Sequence, residues 1–190
     1  MLLVRGMHRE WQSHEKQWNS CQRCDLHKIT SRHVLVRGTL PCDFLFVGEA
    51  PGSIEDILGF PFVGPAGQRL DKLLGEIDKP FSYAITNVVA CTPRIDKDRD
   101  EIREPTREES TSCRPRIIDL LEMARPIGLV YLGRVAERFA SKDSRLRKIP
   151  SVALKHPAYL LRLSGEQKLS EETRFANQLT QFIEEVQDGS

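Results

Sequence analysis

The sequence predicts an α/β protein in which helices cover both faces of a parallel sheet. Four apolar runs recur along the chain, and helical patterns separate or follow them. Fully apolar strands are typical of sheets buried on both faces, and strands that alternate with helices indicate parallel pairing. The expected strands cover residues 43–47, 83–89, 127–132 and 149–154, and the expected helices cover about residues 66–77, 107–124, 133–141 and 171–187.

Length and composition suit one domain, and we expect residues 1–190 to form it. With 39% hydrophobic and 29% charged residues, the chain can build a core and remain soluble. Trp11 and Trp18 lie at helical spacing, so residues 1–20 are expected to be a helical extension. No apolar run approaches the ~20 residues of a membrane span, and residues 1–6 lack the apolar core that a signal peptide would have. We expect a cytoplasmic monomer without a membrane partner.

The charge distribution contains one basic segment. The formal net charge of +1 does not by itself indicate nucleic-acid binding. Residues 134–148, however, carry six basic side chains, beginning with Arg134, against two acidic ones. Such a segment can form a phosphate-binding face, and the solvated side of a helix explains it equally well.

Polar side chains follow three of the four apolar runs, where strands of the sheet would end. Glu49 follows the first run, Asn87 lies near the end of the second, and His156 follows the fourth. Because ligands of parallel sheets bind at the carboxyl ends of strands, we expect these groups at one edge. Residues 48–67 add five glycines and three prolines, which favour a rigid pocket wall. A connecting loop with helix-capping acids would have the same composition.

Five cysteines in a cytoplasmic chain argue against disulfides and favour a metal site. Cys21 and Cys24 form a C-x-x-C pair, while Cys91 and Cys113 each lie close to a proline. Four thiolates can hold zinc or an iron–sulfur cluster, and their spacing alone does not choose between these. Buried or free thiols are the simpler alternative, and Cys42 stands apart from the others.

Four motifs, taken together and in order, give the chain a family resemblance. The first is Gly48-Glu49-Ala50-Pro51-Gly52 with its continuation to Gly67, the second is Thr86-Asn87-Val88-Val89-x-Cys91, the third is His156-Pro157-Ala158-Tyr159-Leu160-Leu161-Arg162, and the fourth is the cysteine order. This set resembles the family-four uracil-DNA glycosylases, the iron–sulfur members of their superfamily. The resemblance covers roughly residues 18–187.

The resemblance implies a fold, a cofactor and a reaction. The fold would be three-layer α/β/α around a four-stranded, mainly parallel sheet. A structural [4Fe-4S] cluster would be held by Cys21, Cys24, Cys91 and Cys113, with Cys42 as an ordinary buried thiol. The substrate would be uracil-containing DNA, and the reaction would be hydrolysis of the N-glycosidic bond after the base leaves the stack.

The resemblance also implies roles for individual pocket residues. Phe62 would stack on the flipped base, and Asn87 would accept from uracil N3–H and donate to O4, a pattern that cytosine reverses. His156 would face uracil O2 and stabilise the developing anion. Glu49 would position or activate the attacking water. Glu55 would lie near uracil C5 and exclude a thymine methyl group, or act as a helix-capping acid, and backbone groups of Ala50, Pro51 and Gly52 would line the pocket.

The remaining expected contacts are with DNA outside the pocket. In the superfamily, the segment that follows the last motif's histidine enters the duplex and fills the gap left by the base. In this chain, that segment would be Tyr159, Leu160 and Leu161. Arg162 and Arg134 would hold phosphates, contacts that position an enzyme without reading sequence.

Two other functions compete with the enzyme hypothesis. The first is a non-catalytic or covalent uracil-DNA binding module of the same superfamily. The covalent relatives resemble Gly-Glu-Gln-Pro-Gly at the first motif and use a loop histidine, whereas this chain has Ala50 and no histidine in residues 94–109. The second is an electron-transfer protein, which the complete pocket motifs make a weaker hypothesis.

Overall fold

The computed structural model describes residues 8–96 and 101–189. Within these ranges five strands form one sheet in the order β1-β3-β2-β4-β5. The strands are β1 (Arg37–Gly38), β2 (Phe44–Gly48), β3 (Tyr83–Asn87), β4 (Gly128–Leu132) and β5 (Ser151–Leu154). The helices are α1 (His8–Asn19), α2 (Ser53–Leu58), α3 (Pro65–Gly75), α4 (Arg107–Ala124), α5 (Arg134–Ala140), α6 (Pro157–Leu160) and α7 (Gly165–Asp188). Short 3-10 turns occupy Asp25–Lys28 and Leu146–Lys148.

Strands β2 to β5 pair in parallel, which confirms the predicted sheet. The expected strand count was low by one, because β1 adds an antiparallel edge on β3. This strand is only Arg37 and Gly38, so it has no apolar run from which it could be predicted. Gly38 takes a φ of 118°, and a side chain there would collide with the β3 backbone.

Alternating residues of the strands pack into two separate cores, one on each face of the sheet. Leu45 and Val47 of β2 point into a core with α1, α4 and α5. Phe44 and Phe46 point into the opposite core with α3, α6 and α7. Both faces of the sheet are therefore covered, as its buried central strands β2, β3 and β4 require, and the three-layer α/β/α expectation is confirmed.

The register of the sheet brings the polar strand ends together. Asn87, the last residue of β3, pairs with Gly48, the last residue of β2, so Glu49 begins beside it. Strand β5 ends two residues before His156 on the far side of β4. Among the helices of residues 8–96 and 101–189, none is both long and apolar enough to cross a membrane.

Candidate active site

One cavity of about 610 Å³ opens at the carboxyl edge of the sheet. A volume of this size suits a small-molecule or nucleotide site. Its wall includes the four side chains that the sequence placed at this edge or in the loop above it: Glu49, Phe62, Asn87 and His156. The remaining predicted lining residues are present as well, namely Ala50, Pro51, Gly52 and Glu55.

Asn87 lines the cavity with a buried side chain. The residue is 1% exposed, and neither Oδ1 nor Nδ2 has a hydrogen-bond partner among the described residues. A buried polar group without a partner is costly, and such exceptions call for an explanation. The amide offers one acceptor and one donor direction side by side, which suits a flat ligand that carries the complementary pair.

Phe62 lies in a strained turn that its surroundings hold in place. Its φ of 56° is unusual for a bulky residue. The Glu55 carboxylate accepts from the backbone N–H groups of Val63 at 3.0 Å and Gly64 at 2.7 Å. A side chain at Gly67 would overlap the Phe62 carbonyl, so the helix α3 can approach only with glycine there. The turn directs the aromatic ring toward the cavity wall.

His156 is fixed as a neutral hydrogen-bond donor. The sequence His-Pro-Ala starts α6, with Pro157 in the first turn and His156 as the N-cap. The Nδ1 atom accepts from the Ala158 N–H at 3.1 Å, which leaves the proton on Nε2. Burial, with a further contribution from the Arg162 charge, lowers the pKa of His156 to about 4. The ring centroid lies 5.5 Å from that of Phe62, so both face one space.

Glu49 lines the cavity close to the charged side chains Glu104 and Arg138. Burial raises the pKa of the Glu49 carboxyl above its ordinary value, and the neighbouring charge of Glu104 raises it further. Arg138 opposes this effect and pairs with Glu104 at 3.0 Å. A carboxylate in such surroundings is a suitable proton acceptor for a water molecule.

The predicted DNA-contact segment divides into exposed and buried residues. Tyr159 is 39% exposed and Leu161 is 40% exposed, while Arg162 and Arg134 are exposed beside the cavity. Leu160 is 0% exposed and packs in the core that contains α3 and α7. The expectation that Leu160 enters the duplex is therefore wrong, because on this single-turn helix its side chain faces the interior.

The four predicted cysteine ligands line a second, separate pocket. Cys21 and Cys24 lie on the turn after α1, Cys91 follows β3, and Cys113 lies in α4. Burial raises the pKa of the Cys91 thiol, and the other three cysteines raise it further because they lie close by. Two imidazoles join the Cys21–Cys24 turn to its surroundings: His33 Nε2 lies 3.0 Å from the Cys21 carbonyl, and His27 Nδ1 lies 2.6 Å from that of Cys24.

A buried cation lies at the wall of this second pocket. The described ranges contain no group of three or more His, Cys, Asp or Glu side chains that could hold a metal ion. Arg116 is wholly buried at the pocket wall, and its Nε donates to the Cys113 sulfur at 3.4 Å. Its charge favours the thiolate form of Cys91. Cys42 lies outside this pocket as a buried thiol whose pKa burial raises to about 12.

Two residues at these sites were missed from the sequence. Glu104 belongs to residues 94–109, a stretch of mixed acidic and basic side chains, and charge alone did not distinguish it from its neighbours. Residues 97–100 of that stretch lie outside the described residues. Arg116 follows Cys113 by three residues on the buried face of α4, and a charged side chain on the same helical face as Ile117 and Leu120 is the signal that could have found it.

Comparisons with known proteins agree with the geometry. Residues 37–180 match the profile of the uracil DNA glycosylase superfamily. Proteins named type-4 uracil-DNA glycosylase are similar to this chain in several organisms. The relative from Archaeoglobus fulgidus is 36% identical over 75% of this chain and 78% of its own. The relative from Saccharolobus solfataricus is 35% identical over 67% of this chain and 57% of its own. The relative from Pyrobaculum aerophilum is 34% identical over 78% of this chain and 73% of its own. The chain belongs to the uracil DNA glycosylase superfamily and, within it, to the type-4 group.

Proposed function

We propose that this protein is a uracil-DNA glycosylase that takes uracil out of DNA and hydrolyses its N-glycosidic bond, which initiates base-excision repair. The observation that carries the proposal is the single cavity shared by Glu49, Phe62, Asn87 and His156. An acid, an aromatic ring, an unpaired amide and a neutral imidazole provide what recognition and cleavage of a pyrimidine nucleoside require. The type-4 relatives support the same reaction by name.

Uracil recognition is assigned to Asn87 and Phe62. The free amide of Asn87 accepts from uracil N3–H and donates to O4, which satisfies both of its unpartnered atoms. Cytosine presents the reverse pattern and would leave these buried groups unpaired, which is how hydrogen-bonding sites reject close analogues. The Phe62 ring stacks on the flipped base, and such stacking contributes ~1–3 kcal/mol. Glu55 holds the Phe62 turn through Oε1 and, because it also lines the cavity, is assigned to exclude a thymine methyl group at uracil C5.

Bond cleavage is assigned to His156 and Glu49. As the glycosidic bond breaks, negative charge develops on uracil, and the Nε2–H of neutral His156 donates to O2. Positive charge develops on the deoxyribose, which the Glu49 carboxylate favours while it accepts a proton from the attacking water. The two groups thus stabilise opposite charges at the two ends of the breaking bond.

The exposed rim of the cavity is assigned to the DNA backbone and duplex. Arg134 begins α5 and Arg162 follows α6, and both line the cavity, where phosphates of a bound strand would pass. Tyr159 and Leu161 are the exposed apolar side chains that can occupy the gap left by the base. Lys155 stacks its ammonium 4.4 Å from the Tyr159 ring centroid, which adds a further cation to this rim.

The four-cysteine pocket is assigned to a [4Fe-4S] cluster. Cys21, Cys24, Cys91 and Cys113 supply four thiolates from three separate parts of the chain, and the buried cation Arg116 suits an anionic group. A bound cluster would cross-link the α1 turn, the end of β3 and α4. We further propose that residues 1–190 act as one domain, as a monomer in the cytoplasm.

The proposal is tested with a labelled oligonucleotide that contains one uracil, treated with alkali after incubation. Strand scission should require the wild-type protein and should fall by about 10²–10⁴-fold in Glu49→Gln and about 10²–10³-fold in His156→Ala. Glu184→Gln, an exposed acid on α7, is the control and should retain full activity. DNA bound without scission, or retained covalently, would instead support a binding module.

The cofactor assignment has its own test. Protein purified without air should be coloured and contain about four irons per chain, and Cys91→Ser or Cys113→Ser should lose them. Colourless wild-type protein with stoichiometric zinc would refute the iron–sulfur assignment while leaving the glycosylase assignment untouched.

A further inference from the structure

Arg116 lies between the four-cysteine pocket and Asn87 at the wall of the cavity. On the inner face of α4, it is the largest fully buried side chain among the described residues. At one end of the guanidinium group, Nε donates to the Cys113 sulfur at 3.4 Å. At the other end, Nη2 donates to the backbone carbonyl of Asn87. Nη1 completes the set by donating to the Thr86 hydroxyl at 2.9 Å and the Leu35 carbonyl at 3.3 Å.

The charge of Arg116 has no carboxylate partner in the part of the chain that the structure describes. Its hydrogen-bond acceptors are one sulfur, one hydroxyl and backbone carbonyls. Burying an unpaired cation is strongly unfavourable. The pocket on its sulfur side is lined by four cysteines, whose thiolate forms would supply the missing negative charge.

Asn87 depends on its backbone for its orientation. Its amide atoms have no partner among the described residues, so no side-chain hydrogen bond holds the group. The next residue, Val88, donates its N–H to the Gly48 carbonyl at 2.9 Å, and Arg116 holds the Asn87 carbonyl. These backbone contacts decide where the amide points.

We propose that Arg116 is a positioning residue that couples the state of the four-cysteine site to uracil binding at Asn87. The inference rests on the proposed function and assigns it a residue outside the cavity. While the thiolate site is filled, its negative charge keeps the guanidinium between Cys113 and Asn87. When the site is emptied, that counter-charge is reduced, and the support of the Asn87 carbonyl weakens with it.

Substitutions at Arg116 separate charge from geometry. Arg116→Lys keeps the charge but replaces the planar fork by a single ammonium, which cannot span both partners. Arg116→Gln removes the charge. Arg114→Gln is the matched control on the same helix, because Arg114 pairs with Asp143 at 3.1 Å and stacks on Phe139 instead.

Three measurements read the coupling: inhibition by free uracil, iron per chain and the reduction potential of the cluster. Both Arg116 variants should bind free uracil about tenfold to a hundredfold more weakly, the effect of losing a charge-assisted hydrogen bond. Arg116→Gln should also lower the reduction potential, since a nearby positive charge favours the reduced cluster, whereas Arg116→Lys should preserve it. Uracil inhibition equal to that of Arg114→Gln in both variants would overturn the proposal.

The wild-type protein provides a second test that needs no variant to fold. Coupling between two sites is reciprocal. Saturating free uracil should therefore slow the release of iron to a chelator at least severalfold, while free cytosine at the same concentration should not. Equal release rates with and without uracil would contradict the coupling. Failure of the proposed function is distinguishable, because wild-type protein would then neither excise uracil from DNA nor be inhibited by the free base.

Discussion

Gly48→Ala is expected to destroy the uracil site by adding one methyl group to it. Gly48 is the last residue of β2 and lies opposite Asn87 in the sheet register. A Cβ atom at this position would lie 2.5 Å from Asn87 Oδ1 and 2.5 Å from two carbons of the Phe62 ring. The methyl group would thus touch both of the side chains that are proposed to hold the base.

The size of the effect follows from these distances. Ordinary contacts of a Cβ atom begin at 3.4 Å, so the amide and the ring must withdraw by the difference from 2.5 Å, about 0.9 Å. Phe62 cannot withdraw freely, because it is 5% exposed and its turn is held by the Glu55 carboxylate. A misplacement of ~1 Å in an active site costs ~10²-fold in rate, and we expect a loss of that order in kcat/KM.

The assay is uracil release from a labelled oligonucleotide, with thermal unfolding measured in parallel. Overpacking in a buried region costs about 1–3 kcal/mol, so the variant should unfold at a lower temperature but remain folded at 25 °C. Gly75→Ala is the matched control, because a Cβ atom there meets nothing within 4 Å. Folded Gly48→Ala with wild-type kcat/KM, or an equal loss in Gly75→Ala, would refute the reasoning.

Three further outcomes are expected. The Glu49 carboxylate must be ionised to act, and burial together with the negative charge of Glu104 raises its pKa. Glu104→Gln should therefore move the acid limb of the kcat/KM pH profile to lower pH, and high salt should diminish this difference. An acid limb at the same pH or at a higher pH would contradict the reasoning. Asn87→Asp removes the donor to uracil O4, so the ratio of uracil to cytosine excision should fall by at least about tenfold, which is the cost of leaving one buried polar group unpaired. An unchanged ratio, measured on two oligonucleotides that differ only in the target base, would exclude the assignment. Leu160→Ala should lower the free energy of unfolding by about 2–5 kcal/mol. Leu161→Ala should unfold like the wild type but lose more activity on double-stranded than on single-stranded substrate. A stability loss in Leu161→Ala and a strand-dependent activity loss in Leu160→Ala would show that the two side chains were assigned incorrectly.

The sequence predicted those parts of the fold that depend on a local pattern of apolar and polar residues. Apolar runs predicted β2, β3 and β4 because a strand between two helical layers has no polar face, and they also predicted the edge strand β5, although its Ser151 and Ala153 are exposed. Helix α4 was predicted at 107–124 and is found there, since Thr106 and Glu109 form a capping box at its start. Helix α7 begins at Gly165, earlier than predicted, because its first turn is exposed and carries no apolar stripe.

The parts that the sequence did not predict depend on contacts between distant segments. Strand β1 exists because two residues pair with β3, and nothing within Arg37–Gly38 indicates it. The burial of Leu160 follows from the single turn of α6, which packs against α3 and α7. The proposed role of Arg116 depends on β3 and α4 meeting beside the cysteines, and Glu104 lines the cavity where it pairs with Arg138 of α5.

The candidate site has a common construction that explains why its recognition groups are free. Each of its three ligand-facing side chains is held through atoms that point away from the cavity: Asn87 through its carbonyl, Phe62 through the turn bound by Glu55, and His156 through Nδ1. The amide, the ring face and Nε2 remain available for a base. Such preorganisation stabilises charge as it develops without reorganising the site. Substitutions behind the cavity should therefore reduce activity even though the altered side chains do not contact the base.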